Sequence, residues 1–236
     1  MRAVGALTAV ALAAHAGPAL AALGPVRRAA FPHLSGQGNP GRVAITFDDG
    51  PDPVSTPLFV EALEHLGVRA TFFVLGRMLA ASPDLGRLLV DAGHDVAVHG
   101  WDHRLLLTRG HRSTVVDLTR ARDEVIRSCG VTPTHWRPPY GVLSGGALRA
   151  ARDAGLTPVL WTTWGRDWER RATGATVRAH VSRHLGAGGT VLLHDSDCTS
   201  APDSWRATLE ALPQIVADIR AMGLQPGPLC DHSRDV

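Results

Sequence analysis

Asp48 and Asp49 stand side by side after the apolar run Val43-Ala44-Ile45-Thr46-Phe47, and Gly50-Pro51 follows them. This pattern predicts a buried strand that ends in a sharp turn. Neighbouring strand side chains point to opposite faces, so the two carboxylates are expected to meet different surroundings. One would hold a metal while the other faces a bound water. His99 and His103, four apart, follow a second apolar run, 95–98. Two imidazoles and a carboxylate are a usual donor set for a catalytic divalent metal with open positions. Asp49 is the third ligand on this reading. Zinc is the default ion, and cobalt or another divalent ion suits the same donors. His180 and His184 share the four-residue spacing. They lie within a helical pattern away from the strand ends and are read as surface histidines.

Water bound to such a metal has a pKa near ~7, and hydrolysis then needs a base for its proton and an acid for the leaving group. Asp48 is placed to be the base, although a turn carboxylate would look the same in the sequence. His194, closing the apolar run 190–193, is the candidate acid, with a packed core histidine as its plainer reading. Arg137 sits between Trp136 and two prolines, a rigid setting in which it can pair with Asp48. An ordinary buried ion pair would satisfy the same sequence. Tyr140 follows those prolines, which have no N–H, so its backbone N–H is free to bind an oxyanion. Asp167 can bond His194 and tune its proton affinity, or be a simple turn residue. Trp101, Trp161, Trp164 and Trp168 fall near these motifs and suit either sugar stacking or core packing.

The elements that carry these residues alternate. Strand patterns at 42–47, 70–75, 95–98, 158–163 and 190–193, with a short one at 224–226, are separated by apolar helical stripes. Helix openings are read at Ser55-Thr56-Pro57, Ser82-Pro83, Ser113, Ser144 and Thr176, with a last helix over 203–222. Alternation of this kind predicts βα units and a parallel sheet. With 236 residues, it favours one α/β domain: a distorted (β/α) barrel of about seven parallel strands. Every unusual residue then falls at the C-terminal end of a strand, where such barrels keep their chemistry.

Composition narrows the partners. The net charge is +2, with 24 Lys and Arg against 22 Asp and Glu, so nothing suggests nucleic acid. All of the former are Arg, which excludes Lys-based Schiff-base chemistry. Cys129, Cys198 and Cys230 are too few and too scattered for a cysteine zinc site, although one disulfide is possible. Residues 1–24 are Ala-rich and signal-like, with a small-x-small site at Ala19-Leu20-Ala21. Export to the envelope or medium is the expectation. A cytoplasmic chain with an N-terminal helix packed on the barrel is the alternative. Residues 25–41 read as a linker or wrap, 42–228 as the catalytic domain and 229–236 as a polar tail. No stretch is long and clean enough for a spanning helix, and a monomer is expected.

Taken together, the motifs resemble the polysaccharide deacetylase family, carbohydrate esterase family four, over residues 42–222. Thr46–Gly50, His99–His103, Arg137–Tyr140, Asp167-Trp168 and Leu192–His194 match its five motifs in order. The resemblance implies a distorted (β/α) barrel that hydrolyses N-acetyl groups on a sugar polymer such as chitooligosaccharide, peptidoglycan or exopolysaccharide. It implies Asp48 as base, His194 as acid, and Asp49, His99 and His103 as metal ligands. Arg137 would position Asp48, Asp167 would tune His194, and the Tyr140 N–H would bind the oxyanion. Two departures stand out. Gly100 replaces a Ser or Thr that steadies the ligand loop, and Thr162, Thr163 and Trp164 stand where acidic residues are usual. A more apolar groove, or one closed to long polymers, is the expectation. Two alternatives remain: a same-fold amide hydrolase of a small N-acetylated molecule, and an inactive glycan-binding domain.

Overall fold

The computed structural model describes residues 2–232. In chain order the elements are α1 (Arg2–Ala16), α2 (Gly24–Ala30), β1 (Arg42–Asp48), α3 (Thr56–Leu66), β2 (Thr71–Val74), α4 (Gly76–Ala81), α5 (Pro83–Asp91) and β3 (Asp95–Val98). There follow α6 (His111–Cys129), β4 (His135–Trp136), α7 (Gly145–Asp153), β5 (Thr157–Pro158), β6 (Thr163–Trp164), α8 (Gly174–Ser182), β7 (Thr190–His194), α9 (Trp205–Ala221) and β8 (Gln225–Gly227). All pairings are parallel, in the order β5-β4-β3-β2-β1-β7-β6, with β8 on the lower part of β1. This is the expected (β/α) barrel, curled but left without a hydrogen-bonded ladder between β5 and β6.

Strand alternation sorts the core into two layers. Val43, Ile45 and Phe47 of β1 face outward, where Phe47 meets Phe59 of α3 at 5.1 Å and Phe72 of β2 at 5.0 Å. Ala44, Phe73, Ala97 and Val159 form a small separate cluster inside the barrel. Above it the inward positions turn polar: Thr46 and Asp48 on β1, then His99, Arg137 and His194 at the ends of β3, β4 and β7. The outer layer holds the fold together and leaves the inner layer free to be functional.

Local signals explain most boundaries and correct several. Ser144 caps α7, its hydroxyl accepting the Ala147 N–H at 3.1 Å. For α8 the cap is Thr173; Thr176 is the third helical residue and reaches back to the Thr173 N–H, forming a capping box. Ser113 likewise lies inside α6, which starts at His111, and its hydroxyl bonds Gly110 O at 2.9 Å. Ahead of α3, Asp52 Oδ1 accepts the Val54 and Ser55 N–H groups, while the Ser55 and Thr56 hydroxyls turn to Asp195 and leave the helix without a side-chain cap. The single strand expected at 158–163 is two short pieces, β5 and β6, since that stretch leaves β4 and crosses to β7.

Residues 17–36 pack across the bottom of this crossing: Ala21 and Leu34 are fully buried, and Leu34 O accepts the Leu160 N–H at 3.0 Å. Among the described residues no single helix is long and apolar enough to cross a membrane. One pair passes on length and composition, Ala9–Ala22 with Gly24–Ala30, but it bends by 116°.

Candidate active site

Both carboxylates of the pair face one pocket, contrary to the expectation of two environments. Asp48 is the last residue of β1 and points inward. Asp49 has left the strand with φ +79°, a left-handed conformation that swings its side chain back to the same side. Strand alternation does not extend through the turn. Asp49 Oδ1 lies 3.4 Å from Nε2 of both His99 and His103, and Asp48 Oδ2 lies 3.8 Å from His99 Nε2.

The donor set of Asp49, His99 and His103 is the only such group among the described residues, its ligand atoms all lying within 4.8 Å of one another. Two atoms each ~2.1 Å from one tetrahedral zinc are ~3.4 Å apart, which is the separation of both imidazole–carboxylate pairs. Asp49 Oδ1 is buried and accepts no hydrogen bond, as expected of an oxygen kept for a cation. His99 Nδ1–H donates to Arg137 O at 2.9 Å, which leaves the Nε2 lone pair facing the group. Burial, then the neighbouring His99, push His103 down to about 4, so its imidazole is neutral at pH 7. Burial alone would raise Asp49, but His99 and, at the acid pH where this carboxyl titrates, the protonated rings of His194 and His103 hold it well below the carboxylate range. These residues fit a divalent ion. His180 and His184 lie on or just beyond α8, half-buried and exposed respectively, outside this group.

Arg137 is 0% exposed and fills the barrel beneath Asp48. Its Nη1 donates to Asp48 Oδ1 at 2.7 Å and to Thr46 Oγ1 at 2.7 Å, and its Nη2 donates to Leu160 O at 3.0 Å. Its guanidinium lies over the Phe73 ring at 4.1 Å. A charge this deep is tolerated because it is paired and hydrogen-bonded. Asp48 is thereby fixed through one oxygen while the other looks into the pocket. Opposite it in the β1–β7 register is His194. Asp167 grips His194 twice: Oδ1 accepts from the ring Nδ1–H at 2.9 Å and Oδ2 from the backbone N–H at 2.7 Å. Burial would lower His194, but Asp167, with Asp49 and Asp48 beyond it, raises it to about 10. Protonated His194 can donate from Nε2. Tyr140 has φ +60° and is 60% exposed, its ring edge-on to His103 at 4.5 Å. Its N–H has no acceptor among the described residues.

A cavity of about 310 Å³ lies between these groups. Trp161, Trp164 and Trp168 form one wall, stacked or edge-on at 5.7 and 5.2 Å, and Trp168 reaches the His194 ring at 5.6 Å. Trp101 does not join them; it lies beneath Arg120, 3.5 Å from the ring centre.

Sequence reading missed the supporting hydroxyls. Thr199, in the loop after β7, donates to Asp49 Oδ2, and Thr208 of α9 donates to Asp167 Oδ2 at 2.7 Å. It also missed Asp117 of α6. That carboxylate accepts the Trp101 N–H at 3.0 Å and an Arg109 donor at 3.1 Å. A Cβ on Gly100 would lie 3.2 Å from Asp117 Oδ2, so the carboxylate occupies the space a side chain at position 100 would use. The three cysteines are free.

Comparison with known proteins gives the family of the chain. The family model for polysaccharide deacetylase matches residues 35–159. A chitooligosaccharide deacetylase of Sinorhizobium fredii is 35% identical over 195 residues, covering 80% of this chain and 90% of that protein. A peptidoglycan-N-acetylglucosamine deacetylase of Listeria monocytogenes is 34% identical over 160 residues, 68% of this chain and 34% of its own. The solved structure of a family 4 carbohydrate esterase from Streptomyces lividans, in complex with acetate, superposes with a TM-score of 0.71 at 35% identity. It covers 79% of this chain and 92% of that one.

Proposed function

The chain belongs to the polysaccharide deacetylase family, and we propose that it is a metal-dependent hydrolase of N-acetyl groups on glycans. Its reaction is cleavage of an amide carbon–nitrogen bond, with acetate and a free amine as products. Asp49, His99 and His103 would hold the divalent cation, zinc or cobalt. Once bound, that cation supplies a Lewis acid for the acyl oxygen and lowers the pKa of water to ~7.

The chain's own groups do the rest. Asp48, held by Arg137, takes the proton of the attacking water on its free oxygen. The Tyr140 N–H donates to the oxygen of the acetyl group as negative charge develops there. His194, kept charged by Asp167, gives its proton to the departing nitrogen. The reading is carried by one observation: Asp48 and His194 stand side by side at the ends of β1 and β7 and line the same cavity as the Asp49–His99–His103 group. A base and an acid beside one cation site, both within reach of the same acyl group, are what amide hydrolysis requires.

The Trp161–Trp164–Trp168 wall and the modest cavity favour short N-acetylated oligosaccharides over long polymers. They also support a second reading, a small N-acetylated amine as substrate. A monomer working outside the cytoplasm suits either. The test is acetate release from a panel of N-acetylated oligosaccharides, peptidoglycan fragments and small acetamides, with and without a chelator. Release from sugars that stops on chelation and returns with zinc or cobalt is expected. Asp48→Asn is expected to keep the metal and lose ~10²–10⁴-fold in turnover. A panel in which sugars bind and no acetate appears with either metal would instead mark a glycan-binding domain.

A further inference from the structure

We infer that Arg27 is a positioning residue for the substrate wall. It reaches from the N-terminal segment into the opening between β5 and β6 and fixes the backbone of Trp161. This rests on the reading of the pocket above for what the wall binds, but not for whether Arg27 sets it.

The argument begins with backbone groups that the sheet leaves over. Strands β5 and β6 do not pair, so the residues crossing between them, Val159 to Thr162, have no full ladder. Buried N–H and C=O groups must still be satisfied. Val159 and Thr162 bond outward to β4 and β7, through Trp136 O and Thr190 O. The groups between them are met from elsewhere. The Leu160 N–H goes to Leu34 O at 3.0 Å, and Leu160 O accepts from Arg137 Nη2 at 3.0 Å. Trp161 O accepts from Arg27 Nη2 at 2.5 Å.

Arg27 is 4% exposed and forms no ion pair among the described residues. Its second bond, from Nη1, goes to Ala21 O at 2.8 Å. An arginine buried against two carbonyls without a carboxylate is costly, and burial together with Arg28 and Arg137 lowers it to about 10. It still carries its charge at neutral pH. Its guanidinium also lies 5.6 Å from the Trp161 ring centre. What it holds is functional: Trp161 lines the cavity, stacks on Trp164, and adjoins the Leu160 carbonyl that anchors Arg137. A planar, forked donor is suited to bridging two carbonyls whose separation would otherwise be free.

Arg27→Met keeps the stem and removes both bonds; Arg27→Lys restores one charged nitrogen in place of the two-nitrogen fork. For N-acetylated oligosaccharides we expect KM to rise about 5- to 10-fold in Arg27→Met with a smaller change in kcat, and Arg27→Lys to recover part of it. Zinc affinity, from competition with a chromogenic chelator, stays at the wild-type value. Amide hydrogen exchange, followed by mass spectrometry, should quicken in peptides covering 157–168 and not in those covering β7 and α9. The exchange measurement needs no turnover. If no glycan were a substrate, the functional reading would fall while local loosening at 157–168 would still support Arg27. An Arg27→Met protein with unchanged exchange there, or with uniformly faster exchange and unchanged KM, would overturn the proposal.

Discussion

Asp167 holds His194 by ring and backbone at once, and Thr208 holds Asp167 in turn. The negative charge of Asp167 is the chief reason that His194 keeps its proton to about 10. Removing that charge while keeping the shape should lower the His194 pKa. The alkaline limb of kcat/KM then moves to lower pH in Asp167→Asn, and the acid limb stays in place. Thr208→Val is expected to shift the same limb less. A pH–rate profile of the three proteins checks both. The charged members of this site were legible in the sequence because Asp, His and Arg at strand ends have few structural reasons to be there. Thr46, Thr199 and Thr208 were not, since a lone hydroxyl carries no chemical signature and Thr199 meets Asp49 from 150 residues away. The facing of Asp49 was also hidden, because its positive φ breaks the alternation that strand reasoning assumes.

At the scale of elements, the loop from Gly100 to Arg109 depends on α6. Gly100 has φ +102°, and His103 has φ +57°, so the loop backbone is bent into the left-handed region twice on its way to the ligand. Such turns persist only where surrounding bonds hold them. Asp117 provides those bonds through the Trp101 N–H and Arg109. It holds the loop at a position where residue 100 itself has no side chain to do so. Asp117→Ala should weaken zinc binding ~10- to 100-fold by loosening the support of a ligand, measured by chelator competition, with α6 still helical by circular dichroism. Helix existence was readable from apolar stripes and Gly stops, such as Gly67 at φ +62° after α3. Helix starts were less so: hydroxyls at Ser113 and Thr176 sit one turn inside, where they resemble caps in a bare sequence. The division of 158–163 was invisible because both halves are rich in strand-forming residues and only their partners differ.

For the whole molecule, the outer layer around Phe47, Phe59 and Phe72 sets stability, and one histidine in it makes that stability respond to acid. His94 Nδ1 accepts the Ala70 N–H at 3.3 Å and its ring lies 5.2 Å from Phe72. Burial, helped by Arg69, lowers it to about 4 from the ordinary 6.5. The unfolded chain therefore binds this proton more readily than the folded one. The contribution is present above pH 6.5 and is lost as pH falls towards 4. With chelator present throughout, His94→Gln should flatten the fall in urea midpoint between pH 7 and pH 4.5 relative to wild type. The α/β alternation and the parallel sheet were plain from sequence, because strand and helix periods differ. That the barrel stays open was not, since strand count says nothing about whether the last pair meets. The opening has a consequence for what the cleft can admit. In a closed barrel, strand number and stagger fix the girth. Here a lengthened crossing stretch could let out the waist of the cylinder beside the reacting carbon while every ladder kept its register. Bulkier sugars would then be accommodated by a change in tailoring at a single place, with the catalytic groups left where they are.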